Sequence, residues 1–260
     1  MRISISKVKA FKACRRKYEL HYLEGLTPVQ TAPALETGSN YHKQIELLYK
    51  DPQAFLEQGD FSKEHAMALA YQKYIMPKVK IVEAEKWLTY DLGDGDELVG
   101  IADGIADDGD IVEHKTTGED NLEKYEYGLQ WDEQILAYML MTGRRRVHYT
   151  VIKKPTIRIK KDETEEDFFA RMVAWYDEDT ENKIRVLELT RTDEEVAQFW
   201  DDLLFMVHEM RHAANFYRNT CNCNLYNRRC EYSSVCLNYN PEQEYIEFTK
   251  GDVEYEPTEN

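Results

Sequence analysis

The segment VGIADGIADDGDIVEHKTTG, residues 99–118, constrains the fold of this chain more than any other stretch. Its alternating pattern on either side of the turn residues Asp107–Asp110 predicts two strands of a hairpin. Residues two apart in a strand share a face, so Glu113 and Lys115 point together while His114 points away. Asp103 stands on the preceding strand, and the turn returns the chain so that Asp103 and Glu113 approach one another. Two interior carboxylates repel and are costly to bury unless a cation sits between them. A divalent ion fits that place, because Mg²⁺ takes one or two carboxylates and keeps positions for water and a phosphate. The competing reading is a cross-strand salt bridge from Lys115 to either carboxylate, which sheets use often. Asp107, Asp108 and Asp110 read as ordinary turn aspartates.

The flanking sequence predicts a mixed α/β fold. Residues 4–24 have helical spacing after a Ser4 cap, and further helices are expected over about 38–49 and 63–76. Strands follow over 85–92, 97–106 and 111–117, then a helix over 122–142 that ends at Gly143. Residues 146–154 and 183–190 read as strands, 157–160 as a short extra strand, and 163–178 as an amphipathic helix. Thr192 caps a last long helix reaching about Phe216. We read one domain over 1–240: a helical region (1–80), a core (81–190), and a final helix with a cysteine segment (191–240). An acidic tail, 241–260, completes the 260 residues and reads as disorder or as a docking segment for a protein partner. The longest apolar run, ILAYMLM at 135–141, is too short for a bilayer, and the N-terminus lacks a secretory pattern. A cytoplasmic protein with no membrane partner is expected.

A formal charge of −16 argues at first against a nucleic-acid partner. Local potential matters more than the average. Arg144, Arg145, Arg146, Lys153, Lys154, Arg158, Lys160 and Lys161 form a strip with no acid among them, which predicts a surface for a polyanion. The five cysteines are Cys14, Cys221, Cys223, Cys230 and Cys236. Four crowd one short segment, and metal ligation is the better default than disulfides where no export signal is seen. A zinc knot of the late four is one reading, although the spacing suits it poorly. A cluster joining Cys14 to three of them is the other.

Asp103, nine residues and then Glu113-His114-Lys115 resemble the PD-(D/E)XK nuclease superfamily, in particular its RecB-like branch. GSNYH, ending at His42, is similar to that branch's helix start. GIAD ends at Asp103, and QILAY supplies Gln134 and Tyr138 one helical turn apart. One early and three late cysteines resemble the iron–sulfur subset of the branch, which includes AddB-like and CRISPR-adaptation nucleases. Ala102 stands where the superfamily often has proline. The resemblance implies a restriction-endonuclease-like core with a central mixed sheet flanked by helices. It implies a [4Fe–4S] cluster on Cys14, Cys223, Cys230 and Cys236 that joins the terminal helices, with Cys221 competing for the place of Cys223. It further implies Mg²⁺ or Mn²⁺ held by His42, Asp103, Glu113 and the main-chain carbonyl of His114. Lys115 would orient or deprotonate the attacking water, with Gln134 and Tyr138 beside it. The implied activity is DNA hydrolysis, single strands preferred, as an exonuclease. The alternative is a non-catalytic or complex-bound subunit in CRISPR adaptation or recombination. Residues 153–172 resemble a segment of bacterial and phage members, which suggests a phage origin.

Overall fold

A computed structural model describes residues 1–29, 33–225, 228–237 and 248–251. The elements begin β1 (Arg2–Ile3), α1 (Ile5–Ala13), α2 (Arg15–Tyr18), β2 (Leu26–Pro28), α3 (Pro33–Lys50), α4 (Pro52–Glu57) and α5 (Lys63–Tyr74). The middle of the chain forms β3 (Ile81–Gly93), β4 (Asp96–Ala106), β5 (Ile111–Thr117), α6 (Leu122–Leu129), α7 (Glu133–Thr142) and β6 (Arg146–Lys153). Then come α8 (Glu165–Glu178), β7 (Ile184–Thr190), α9 (Asp193–Arg211), β8 (Asn224–Leu225), β9 (Arg228–Arg229), α10 (Ser233–Leu237) and β10 (Phe248–Lys250). No helix among the described residues is long and apolar enough to cross a membrane. The chain divides into two compact units, one of Met1–Ala32, Thr89–Gly100 and Ala197–Asn260, the other of Pro33–Leu88 and Ile101–Val196.

The second unit holds the sheet that matters for chemistry. β4 and β5 pair antiparallel through Gly104↔Val112 and Ile105↔Ile111. β5 and β6 pair parallel from Ile111↔Val147 to Thr117↔Lys153, and β6 pairs antiparallel with β7. The parallel step follows from the α6–α7 crossover, because parallel neighbours need a long connection. β6 is buried on both sides, and its alternate residues divide between two cores. Val147, Tyr149 and Val151 pack with Leu122, Ile135 and Met139 of α6 and α7. Ile152 packs with Tyr41, Leu48, Met67 and Tyr176 of α3, α5 and α8. The result is a mixed sheet with helices on both faces.

The first unit is built around short pieces. β1 pairs parallel with the start of β4, and β2 with β10. A small core joins Leu20, Leu26, Tyr232, Val235 and Phe248. The helix expected over 4–24 is interrupted. Ser4 caps α1 as predicted, but Cys14 adopts an extended conformation (φ −163°, ψ 111°) before α2, and a π-helical turn follows over Glu19–Leu23. The helix expected over 122–142 also breaks, because Asp132 caps α7 by accepting the Gln134 N–H at 3.1 Å. Thr192 does start α9, in a reciprocal capping box with Glu195, but that helix ends at Arg211. Residues 157–160 form no strand. The acidic tail lies outside the described residues, apart from β10 and Gly251.

Gly104 fixes how closely β3 approaches β4. A Cβ there would meet Ile81 Cδ1 at 2.8 Å and Cγ2 at 3.0 Å. Gly104→Val should therefore destabilise the protein by about 1–3 kcal/mol through overpacking, measured by urea unfolding.

Candidate active site and cysteine cavity

Helix α3 sets His42 beside Asp103, and the β4–β5 hairpin of the second unit sets Glu113 opposite Asp103. Glu113 is not in the group of ligand atoms that gathers within 4.8 Å around His42 and Asp103. The register places Asp103 opposite Glu113, one step beyond the last recorded pair. Asp103 Oδ2 accepts the His114 backbone N–H at 2.6 Å, so the side chain satisfies a strand donor that the ladder leaves open. Its Oδ1 lies 3.2 Å from His42 Nδ1. Burial alone pushes the Asp103 carboxyl up, but the hydrogen bond and charge of His42 outweigh it and hold Asp103 below the usual carboxylate range. Glu113 is buried. Burial, then the charge of Asp103, push its carboxyl up. Its Oε1 accepts from Lys115 Nζ at 2.6 Å, whereas its Oε2 is buried with no partner among the described residues. A buried carboxylate oxygen without a donor is costly, and a cation at that atom removes the cost.

Lys115 is held from two sides, by Glu113 and by Asp132 Oδ2 at 3.4 Å. Burial favours loss of its proton, but the two carboxylates outweigh burial and raise its pKa. In the metal-free protein Lys115 is thus held as an ammonium that donates hydrogen bonds. Tyr138 donates to the Ile101 carbonyl at 2.5 Å and receives the Gln134 amide at 2.7 Å. The pair ties α7 to β4 two residues before Asp103. The side chain of His114 points to the other face of β5, as the strand period requires, with its ring centroid 6.1 Å from that of His42. Its Nδ1 lies 2.6 Å from Thr150 Oγ1, its ring packs edge-on against Tyr71, and burial lowers its pKa to about 4.

Two functional candidates escape the sequence reading. Glu85 places a carboxylate oxygen so that one ligand atom each of His42, Glu85 and Asp103 lies within 4.8 Å of the others. It does so from a left-handed backbone, φ 51°, inside β3, which breaks the strand alternation and turns the side chain inward. Burial, then Asp103, push its carboxyl up to about 7. Only the paired glutamates of the EAE run hint at it. Asp132 is the other, and its signal is the cap position before the apolar run of α7.

The turn aspartates do not compete for this role. Asp108, Asp110 and His148 also gather ligand atoms, but Arg146 enters among them, 2.9 Å from Asp108 and bonded to Asp110. A guanidinium already supplies the positive charge there. The basic strip is likewise partly engaged. Arg145 pairs with Asp193 at 2.7 Å, Lys153 with Asp120 at 2.6 Å, and Lys154 is half-buried. Arg144, Arg158, Lys160 and Lys161 are exposed.

In the first unit, Cys14, Cys223, Cys230 and Cys236 line one cavity of 280 Å³, and Cys221 does not line it. The helix break at Cys14 releases that thiol from α1. Across the β8–β9 pairing, the Cys230 N–H donates to the Cys223 carbonyl at 2.9 Å. Burial pushes the thiols of Cys230 and Cys236 up. Among the described residues, no three cysteine sulphurs lie within 4.8 Å of one another. The sulphurs of a closed tetrahedral zinc site stand about 3.8 Å apart, given Zn–S bonds of about 2.3 Å. The cysteine sulphurs among the described residues are thus not gathered around one ion, and the late-four zinc knot is disfavoured because Cys221 lies off the cavity.

Left-handed backbone at a non-glycine residue costs about 1 kcal/mol or more, and asparagine tolerates it better than glutamate. Glu85→Asn should accordingly raise the stability of the metal-free protein by about 1 kcal/mol, read as a higher urea midpoint.

The crystal structure of a candidate exonuclease from Eubacterium rectale is similar in fold, with a TM-score of 0.50 at 14% identity over 90% of this chain and 92% of that one. An alkaline exonuclease from Laribacter hongkongensis is more distant, at a TM-score of 0.42 and 12% identity over 81% of this chain and 88% of that one. No curated protein matches the sequence. The sequence does match the PD-(D/E)XK nuclease family profile across residues 2–237, and the chain belongs to that superfamily.

Proposed function

We propose that this protein is a divalent-metal-dependent DNA nuclease that hydrolyses phosphodiester bonds. The observation that carries the reading is the unpartnered, buried Oε2 of Glu113 beside the His42–Asp103 pair. His42, Asp103, Glu113 and the His114 carbonyl would hold one Mg²⁺ or Mn²⁺, with Glu85 in reach. When bound, such an ion polarises a phosphoryl oxygen and makes water a better nucleophile at neutral pH. The chain's own part is positioning and charge. An ammonium has three donors. Lys115 uses one on Glu113 and has Asp132 near another, which leaves a donor for the attacking water or a phosphate oxygen. It orients the attacking water, and its positive charge offsets charge that builds on the phosphate. Asp132 holds Lys115, while Gln134 and Tyr138 hold β4. These last three are positioning residues.

The choice of a single-strand-preferring exonuclease rests on the RecB-like motifs ending at His42, Asp103 and Tyr138. A complete carboxylate and lysine set weighs against a subunit that only binds DNA. We further propose that Cys14, Cys223, Cys230 and Cys236 hold a [4Fe–4S] cluster. Each thiolate of such a cluster binds a different iron, and these four cysteines line one cavity. Its role would be to fasten α1 to the segment around α10, closing a loop of some two hundred residues, since metal–thiolate binding energy is folding energy.

Lys115→Ala should fold and bind DNA like the wild type while its cleavage of end-labelled DNA falls by a factor of about 100 or more; equal cleavage by both forms removes the role assigned to Lys115. Protein purified without oxygen should carry about four irons per chain, retained in Cys221→Ser and lost in Cys14→Ser. A colourless, zinc-filled preparation contradicts the cluster.

A further inference from the structure

The cavity that gathers the cysteines has a basic mouth. Arg218, Arg228 and Arg229 line it and are exposed. From Met210 to Cys230 the sequence contains no Asp or Glu, in a chain whose formal charge is −16. Arg211 of that run is spent on Asp96. Among the described residues, no carboxylate lies within ion-pair reach of the other three. This differs from the strip around Arg145 and Lys153, where carboxylates already offset much of the charge. Tyr217 precedes Arg218 and is 56% exposed, with Arg15 behind its ring at 5.3 Å from the centroid. Arginines take phosphates, and an exposed aromatic ring stacks a base only if that base is unpaired.

We propose that Arg218, Arg228, Arg229 and Tyr217 form a binding patch for single-stranded DNA, the arginines on successive phosphates and the tyrosine under a base. The proposal deepens the nuclease reading and rests on it for the identity of the polyanion. It also accounts for what the cavity's cysteines would do for function: they fix the hairpin and the preceding loop on which all four residues stand.

The test uses the full chain purified without oxygen and a labelled single-stranded oligonucleotide, with chelator present so that nothing is cut. In the triple variant R218A/R228A/R229A, affinity at low salt should fall at least tenfold. The slope of log K against log salt should shrink by about 0.7 per lost phosphate contact, or about 2 for three. The corresponding triple lysine variant should keep the slope. Tyr217→Ala should weaken binding of the single strand and leave a duplex of the same length unaffected. Unchanged affinity and salt slope in the alanine variant overturn the patch. So does loss of iron with DNA affinity intact, which would make the arginines counter-charges to the cysteines only. Failure of the nuclease reading looks different: the wild type binds the strand through these residues but cuts nothing when Mn²⁺ replaces the chelator. A wild type that cuts DNA while its alanine variant binds it equally well sinks the patch alone.

Discussion

Repulsion between a half-buried and a buried carboxylate on neighbouring strands is the constraint around which the candidate site is organised. Asp103 and Glu113 face one another across the β4–β5 hairpin, and the surrounding side chains answer their charge. His42 takes one oxygen of Asp103, the His114 N–H takes the other, and Lys115 takes one oxygen of Glu113. One oxygen remains without a donor. A buried carboxylate oxygen with no donor would be satisfied by a cation, and the groups fixed around it would already be aimed when the cation arrives. Glu85 adds a further carboxylate at the cost of a strained backbone. Such strain is found where function over-rides local preference.

Much of this was legible in the sequence, for a physical reason. Strand periodicity fixes which residues share a face, so Glu113, Lys115 and the outward turn of His114 follow from spacing alone. The turn at Asp107–Asp110 fixes the partner of Glu113. What spacing cannot give is a residue whose position depends on breaking the local pattern. Glu85 faces inward only because its φ is positive, and no propensity favours glutamate there. Asp132 reaches Lys115 because a helix that reads as continuous from 122 to 142 breaks to make it a cap. Cys14 reaches the cavity because the first helix is broken at that thiol. In each case a tertiary demand wins over a local one, and each exception falls at a residue with a functional assignment.

The charge pattern teaches a similar lesson. The longest basic run, Arg144–Lys161, is the plain signal in the sequence, yet Arg146 is occupied with Asp108 and Asp110 and its neighbours with other acids. Charge counted along a chain overstates potential when folding brings acids to the same surface. A shorter run, Arg218 to Arg229, keeps three exposed arginines with no ion pair among the described residues. Under the proposed binding patch, the first unit would take part in substrate binding.

The central claim is that a divalent ion at the Asp103–Glu113 pair makes this chain a nuclease. The most direct measurement is cleavage of end-labelled single- and double-stranded DNA by the anaerobically purified protein, with Mn²⁺ and with a chelator. The account predicts shortening of the labelled strand with Mn²⁺ and none with the chelator. Cleavage that persists undiminished in the chelator, or a strand left intact with Mn²⁺, contradicts it.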